Sequence, residues 1–125
     1  MPALPKSVST AWDDRKGPAV FTTVAKDGTP NSIWVGCLEK YDDERLIVAD
    51  NYFQKTRENI NNGSKGSLLW ITNDGEAYQV KGSIEYVTAG PMFDRMRECI
   101  DDSLPRVAAA VIHVEEVYSG AKRLL

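Results

Sequence analysis

Apolar and polar residues alternate along several short stretches of the chain, and turn-forming residues separate these stretches. Alternation with a period of two is typical of β-strands that have one buried face. The clearest example lies between Ala77 and Val87. One face of this predicted strand carries five residues, namely Tyr78, Val80, Gly82, Ile84 and Tyr86. The opposite face is polar, so the pattern predicts a strand over the whole segment.

Five further segments have strand patterns of their own. They cover residues 18–26, 30–39, 45–49, 66–72 and 107–114. Between the first two, Asp27-Gly28 is a strong hairpin signal. The last segment is an almost continuous apolar run, which favours a strand buried on both faces. The chain is therefore predicted to contain six strands.

Three short helices are predicted, over residues 7–15, 55–60 and 91–104. Ser7 or Ser9 is expected to cap the first helix, since a serine hydroxyl can accept a hydrogen bond from an unpaired N–H group there. In the third helix, Phe93, Met96 and Ile100 repeat at helical spacing, which indicates contacts with the core.

Six strands in meander order with short helices predict a mainly β fold, a six-stranded antiparallel barrel. Closure of the sheet would remove exposed strand edges, which otherwise attract other chains. The sequence contains no repeat, low-complexity segment or linker. We therefore expect one domain over residues 1–125, in which 42% apolar residues are enough for one core.

Charge and hydropathy exclude several classes of partner. A net charge of −3 and a pI near 5.1 argue against a nucleic-acid partner, which would require a basic face. No apolar run is long enough to cross a bilayer or to act as a signal peptide, so we expect a cytoplasmic protein without a membrane partner. Cys37 and Cys99 are then expected to be reduced thiols.

The sequence offers no metal site. His113 is the one histidine, and no cysteine or histidine stands near it at a metal-binding spacing. Its place in an apolar strand favours a structural role. No serine or cysteine motif accompanies it either, so nucleophilic catalysis is not indicated.

The segment Leu46–Ile60 contains the best candidate site. An apolar strand leads through a polar turn into a helix that begins with Lys55-Thr56. The first N–H groups of a helix are unpaired, and together with an ammonium and a hydroxyl they are predicted to bind a phosphate. The neighbouring Tyr52-Phe53 pair supplies apolar surface for a flat ring. Without further context, the same lysine and threonine would be ordinary exposed residues.

The order and wording of these segments resemble the FMN-binding split-barrel family, the pyridoxamine 5′-phosphate oxidase-like flavoproteins. The likeness is sharpest in VADNYFQKTRENI, with PNSIWVG before it and YQVKGSIEY after it. It is closest to the small single-domain FMN-binding members and extends from about Gly17 to the final leucines. The resemblance implies a split β-barrel that binds FMN at a homodimer interface.

The resemblance also implies roles for particular residues. Lys55 and Thr56 match the pair that holds the FMN phosphate in the family. Contacts with the flavin and the ribityl chain fall on two segments. The first is Ser32, Ile33 and Trp34 in the second strand, and the second is Ala49, Asp50 and Asn51 at the end of the third strand and in the turn that follows it. Leu124 and Leu125 match a segment that approaches the partner's flavin. From the residues alone, Trp34 can also belong to the core or an interface, and Asn51 can cap the helix.

The sequence departs from the family pattern in two ways, and these departures narrow the range of activities to be expected. The oxidases place arginines near the FMN and substrate phosphates, whereas the second strand here begins Pro30-Asn31-Ser32. The longer C-terminal substrate-binding segment is also missing, so we do not expect vitamin B6 oxidation. The catalytic residues are unknown, and the flavin would carry any redox chemistry.

The leading hypothesis is a homodimeric FMN flavoprotein that acts in electron transfer or as a small flavin-dependent oxidoreductase. Its electrons would come from a redox partner protein or a nicotinamide donor. The alternative is a non-redox module that binds the cofactor for storage or sensing. A third hypothesis, oligonucleotide binding on the barrel, is disfavoured because no basic and aromatic stripe is visible.

Overall fold

A computed structural model describes residues 2–125, so Met1, the first residue of the predicted domain, lies outside the described residues. Three short helices are present, α1 (Lys6–Trp12), α2 (Lys55–Asn61) and α3 (Pro91–Cys99). Within the described range there are eight strands: β1 (Ala19–Val24), β2 (Pro30–Val35), β3 (Leu38–Asp42), β4 (Arg45–Asp50), β5 (Gly66–Ile71), β6 (Ala77–Val87), β7 (Ala108–Ser119) and β8 (Lys122–Arg123). In residues 2–125 no helix has the length and apolar character needed to cross a membrane.

The strands form one antiparallel sheet in the order β2-β1-β5-β6-β7-β4-β3, and β8 pairs with β7. β2 and β3 lie at opposite ends of this order, yet only Gly36 and Cys37 separate them in the chain. Three peptide steps cover about 11 Å at most. The sheet must therefore curl until its two ends lie close together. This partly open barrel confirms the predicted mainly β, antiparallel fold.

The second predicted strand, residues 30–39, differs from the structure. It is divided at Gly36, and its two parts pair with different neighbours, β2 with β1 and β3 with β4. The ladder of the second part already begins at Cys37, whose carbonyl accepts the N–H of Ala49 at 2.9 Å. Because this segment forms two strands and the two-residue β8 is added, the structure has eight strands where six were predicted.

The first helix also differs from its prediction. It ends at Trp12 instead of Arg15, and its N-cap is Pro5, without a side-chain cap. Ser9 therefore does not cap the helix. Its hydroxyl instead donates to Asp43 Oδ1 at 2.5 Å, which ties α1 to the turn between β3 and β4.

Two apolar clusters lie on opposite faces of β4 and β7. Leu46, Val48 and Ile112 point into the barrel and belong to the main core. Ile47 and Val111 point the other way, where Met96 of α3 covers them. The last predicted strand is thus buried on both faces, as its continuous apolar run indicated.

An aromatic group closes one end of the barrel. Trp12 of α1 packs edge-on against Trp70 of β5, with 5.2 Å between the ring centroids, and Trp70 in turn contacts Tyr78. Leu124 and Leu125 pack partly buried against the same core, and the N–H of Leu124 donates to Val117 at 2.8 Å. Within one chain, the two terminal leucines are therefore core residues.

The pairing of β6 with β7 contains a β-bulge. The register shifts after Lys81, so that Glu115 is an extra residue on β7. At this point the two backbones approach so closely that a Cβ atom on Gly82 would overlap the carbonyl oxygen of His113. Glycine at position 82 is thus required for the strand pair with the most extensive ladder.

We expect Gly82→Ala to lower the free energy of unfolding by at least about 2 kcal/mol, because the strands must separate to admit the methyl group. Urea denaturation followed by circular dichroism measures the change. Gly36→Ala is the matched control, since a Cβ there has no neighbour within 4 Å. Equal losses in the two variants would contradict the role assigned to the close approach.

Candidate functional site

A cavity of about 360 Å³ opens where the two ends of the sheet meet. Residues 33–37 form one wall and residues 51–56 the other, and Asn31 and Ala49 complete the lining. This volume is in the range of small-molecule and cofactor sites. The division of the sheet after β2 therefore creates the opening, and the turn between β4 and α2 borders it.

Six of the eight predicted site residues line this cavity: Ile33, Trp34, Ala49, Asn51, Lys55 and Thr56. They come from three separate segments of the chain, so the fold brings together what the sequence left apart. Ser32 and Asp50 do not line it.

Ser32 lies on the outer face of β2. Its hydroxyl is 2.8 Å from the hydroxyl of Thr22, its cross-strand partner on β1. The side chain is therefore engaged within the sheet and does not line the cavity.

Asp50 is fully buried, and its carboxylate is shared by four donors. Oδ1 accepts the N–H of Phe53 and one guanidinium N–H of Arg57, each at 3.0 Å. Oδ2 accepts Arg57 Nε at 2.7 Å and the hydroxyl of Tyr86 at 2.5 Å. The predicted ligand contact is thus, in the structure, the centre of a buried hydrogen-bond network.

Burial and hydrogen bonding act in opposite directions on this carboxyl. Burial alone would raise the pKa of Asp50, but the bonds from Arg57, Tyr86 and Phe53 favour the charged form and hold its pKa below the usual range. For Tyr86, burial and the bond to Asp50 both raise the pKa of the phenol. Asp50 therefore remains ionised and Tyr86 remains a donor at neutral pH.

Asn51 does not cap α2. The N-cap is Gln54, without a side-chain hydrogen bond, and Asn51 Oδ1 instead accepts the N–H of Arg106 at 2.9 Å. That bond holds the loop before β7 against the turn after β4. The amide nitrogen of Asn51 is left as the side chain's contribution to the cavity.

Lys55 and Thr56 differ in exposure. Lys55 is exposed at the first position of α2, whereas only 2% of the Thr56 surface is accessible. The Thr56 oxygen accepts a hydrogen bond from Asn31 Nδ2 at 3.1 Å. Since the amide is the donor, the hydroxyl proton of Thr56 is free to point at an anion.

Aromatic side chains flank the opening. Trp34 is 73% exposed and Tyr52 is 74% exposed, while Phe53 is buried against Phe21 in the core. Trp34 is therefore not a core residue. Large aromatic surfaces on the outside of a protein commonly belong to binding sites.

Seven lining residues were absent from the eight predicted site residues: Asn31, Val35, Gly36, Cys37, Tyr52, Phe53 and Gln54. Of these, the sequence had indicated only Tyr52 and Phe53, as apolar surface for a flat ring. Asn31 could have been predicted from the alternation of strand residues, since it lies on the same strand face as Ile33. Gly36 and Cys37 line the cavity only because the strand breaks there, and the apolar pattern of the segment does not show that break.

A second cavity, of about 480 Å³, lies near the β6–β7 bulge. Arg45, His113 and Glu115 in its lining each have a side-chain partner, which for Arg45 is Asp42. His113 Nε2 lies 2.9 Å from Glu85, and Glu115 lies 2.8 Å from Lys65. It contains none of the predicted site residues, so the cavity at the sheet ends is the better candidate.

Comparison with known proteins identifies the family. The sequence matches the pyridoxamine 5′-phosphate oxidase family over residues 11–119. This match spans most of the chain, so the chain belongs to that family. An uncharacterised protein of Methanocaldococcus jannaschii is 29% identical over an alignment of 104 positions, and the match covers 79% of this chain and 70% of the relative.

Solved structures share the fold. HupZ of Group A Streptococcus superimposes with a TM-score of 0.80 at 23% identity, over 93% of each chain. An FMN-binding protein of Syntrophomonas wolfei superimposes with a TM-score of 0.75 at 19% identity, over 87% of this chain and 80% of that one. The curled sheet is thus the split barrel of this family.

The Asp50 network predicts how stability depends on pH. A carboxyl whose pKa is lower in the folded state stabilises the fold above its unfolded pKa, about 4, and this contribution is lost as the pH falls through the folded value. We expect Asp50→Asn to be about 2–3 kcal/mol less stable than the wild type at pH 7, with the difference shrinking below about pH 4. Urea denaturation across this pH range measures it.

Glu98→Gln, which changes an exposed carboxylate of α3, is the control and should leave stability nearly unchanged at neutral pH. A difference between Asp50→Asn and the wild type that stays constant down to pH 3 would contradict the ionised network.

Proposed function

We propose that the chain binds FMN in the cavity between β2 and α2, with Lys55 and Thr56 holding the phosphate. This proposal rests on one observation. Lys55 and Thr56 line the same cavity of about 360 Å³ as residues of β2, the strand at one end of the sheet order. Family membership and the shared fold of an FMN-binding protein support it.

The polar end of the cavity suits a phosphate. A dianion in a partly dry site requires a cation and several donors. Lys55 supplies the charge, Thr56 a hydroxyl proton, and Gln54 and Asn51 amide donors. No carboxylate lines this cavity in residues 2–125, so nothing there repels the anion.

The other end suits a flat heterocycle. β2 is the last strand of the sheet order, so along one edge no strand within residues 2–125 pairs with its backbone. Alternate residues of a strand direct both their N–H and C=O groups to the same edge. One of the two neighbours Ile33 and Trp34 therefore presents these groups at the free edge, where they can bond the polar rim of a flavin. The side chains of Ile33 and Trp34 add apolar surface beside it.

The residues of the cavity would bind and orient the cofactor. Bound FMN supplies one- or two-electron chemistry. Among the lining residues in the described part of the chain, none carries an imidazole or a carboxylate that would act as a general acid or base. We therefore propose that the chain acts in electron transfer or as a small flavin-dependent oxidoreductase. A redox partner protein or a nicotinamide donor would supply the electrons.

The same lack of an acid or base also favours a second candidate, a non-redox module that stores or senses FMN. The two differ in whether bound FMN accepts electrons. Anaerobic mixing with nicotinamide donors and with reduced electron-transfer proteins, followed at the flavin absorption band, separates them. Bleaching of the band supports the redox function, and a band that stays unchanged with every donor supports the storage module.

We expect titration with FMN to give a yellow complex of about one FMN per chain, and Lys55→Ala to weaken binding at least about tenfold, since a charged hydrogen bond to phosphate is lost. Flavin absorbance after ultrafiltration measures both. Lys6→Ala is the matched control, because Lys6 is likewise an exposed lysine at the first position of a seven-residue helix. An affinity for FMN that is equal in the two variants would refute the phosphate assignment.

We further propose that the FMN lies at a homodimer interface. On the outer face of the sheet, the ladder places Trp34, Val20 and Leu69 side by side. Trp34 also lines the cavity, and Leu69 is 41% exposed. The apolar row therefore runs from the cavity mouth across β1 to β5, and a second copy would bury it.

We expect Leu69→Glu to convert a dimer into a monomer, because a buried unpaired carboxylate is costly. Sedimentation velocity measures the mass. Val107→Glu is the control, since it places the same charge at a comparably exposed apolar site, 47% accessible, outside the row. A wild-type protein that sediments as a monomer would refute the proposed interface.

A further inference from the structure

The buried Asp50 carboxylate joins three parts of the molecule. Its bonds reach Phe53 in the turn after β4, Arg57 in α2 and Tyr86 in β6. Phe53 lies two residues before Lys55, and Arg57 lies one residue after Thr56. The carboxylate therefore holds the chain on both sides of the Lys55-Thr56 pair.

The network is anchored to the centre of the sheet. Tyr86 pairs with Ala110 of β7, which is fully buried. The backbone of Asp50 adds a further tie, because its carbonyl accepts the N–H of Val107 at 2.8 Å. The turn that carries the proposed phosphate ligands is thus hydrogen-bonded to the central strand β6 and to the residue just before β7.

On these grounds we propose that Asp50, together with Arg57 and Tyr86, is a positioning residue that fixes Lys55 and Thr56 for phosphate without touching the ligand. This inference rests on the proposed FMN function. Asp50 does not line the cavity, and its carboxylate has four donors already. Since Asp50 and Arg57 neutralise each other, the network acts through geometry and adds no net charge toward the anion.

Comparison of two probes, FMN and riboflavin, tests the proposal, because riboflavin lacks the phosphate. We expect Asp50→Asn to weaken FMN binding about 10- to 100-fold, the range seen when supporting hydrogen bonds of a ligand site are removed. Tyr86→Phe, which removes one hydroxyl and no charge, should weaken FMN binding about threefold or more. The dissociation constant for riboflavin should stay within about twofold in both variants.

Tyr118→Phe is the matched control. Its hydroxyl also donates to a carboxylate, Glu116 at 2.6 Å, but it lies outside the cavity lining. It should leave both dissociation constants unchanged. If Tyr86→Phe weakened the binding of FMN and of riboflavin equally, Tyr86 would support the fold in general, and the proposal would be overturned. Tighter FMN binding in Asp50→Asn would show that freed Arg57 charge dominates, which also overturns it.

A measurement without ligand covers the case in which Asp50→Asn fails to fold. Amide hydrogen exchange of ligand-free Tyr86→Phe should become faster at residues 53–57 and remain unchanged in the centre of β7. Unchanged exchange at residues 53–57 would overturn the positioning role even if FMN binds. If the wild type binds FMN no more tightly than riboflavin, the phosphate assignment fails first, and the positioning role fails with it.

Discussion

One geometric constraint governs this molecule: a single segment, residues 30–42, supplies both ends of the sheet. The chain leaves β2 at one end and enters β3 at the other within two residues. The sheet can satisfy this only by curling, and the curl leaves a gap at the point of crossing. The cavity and the unpaired edge of β2 both lie at that crossing, and the exposed Trp34 borders them.

The turn after β4 faces this gap, and its shape depends on buried polar contacts as well as on the packing of Phe53 in the core. A carboxylate enclosed in protein must be fully hydrogen-bonded to be tolerated. Asp50 meets this requirement with donors from the turn, from α2 and from β6. These contacts join the turn and α2, which carries Lys55 and Thr56 at its start, to the sheet.

Local patterns predicted much of this structure. The alternation from Ala77 to Val87 gave β6 with its observed ends, and the apolar run after residue 107 gave a doubly buried strand. Lys55-Thr56 was found because a helix start and its first side chains are neighbours in sequence. Such features depend on residues a few positions apart, so the sequence displays them directly.

Features that depend on distant residues were not visible. The break at Gly36 results from pairing with β4, and no local change of pattern marks it. Asp50 was predicted to contact the ligand, but its partner Tyr86 lies 36 positions along the chain. For Trp34, a flavin contact, the core and an interface all stayed open, because strand position alone does not show which face the fold covers.

The free edge of β2 has a consequence for the isolated chain. An uncovered strand with unpaired N–H and C=O groups is a template for non-native strand addition. Here Ile33 and the exposed Trp34 provide the apolar side chains that favour such addition. A single uncovered chain is therefore at risk of aggregation from its folded state, so its solubility depends on how quickly something occupies that edge after synthesis.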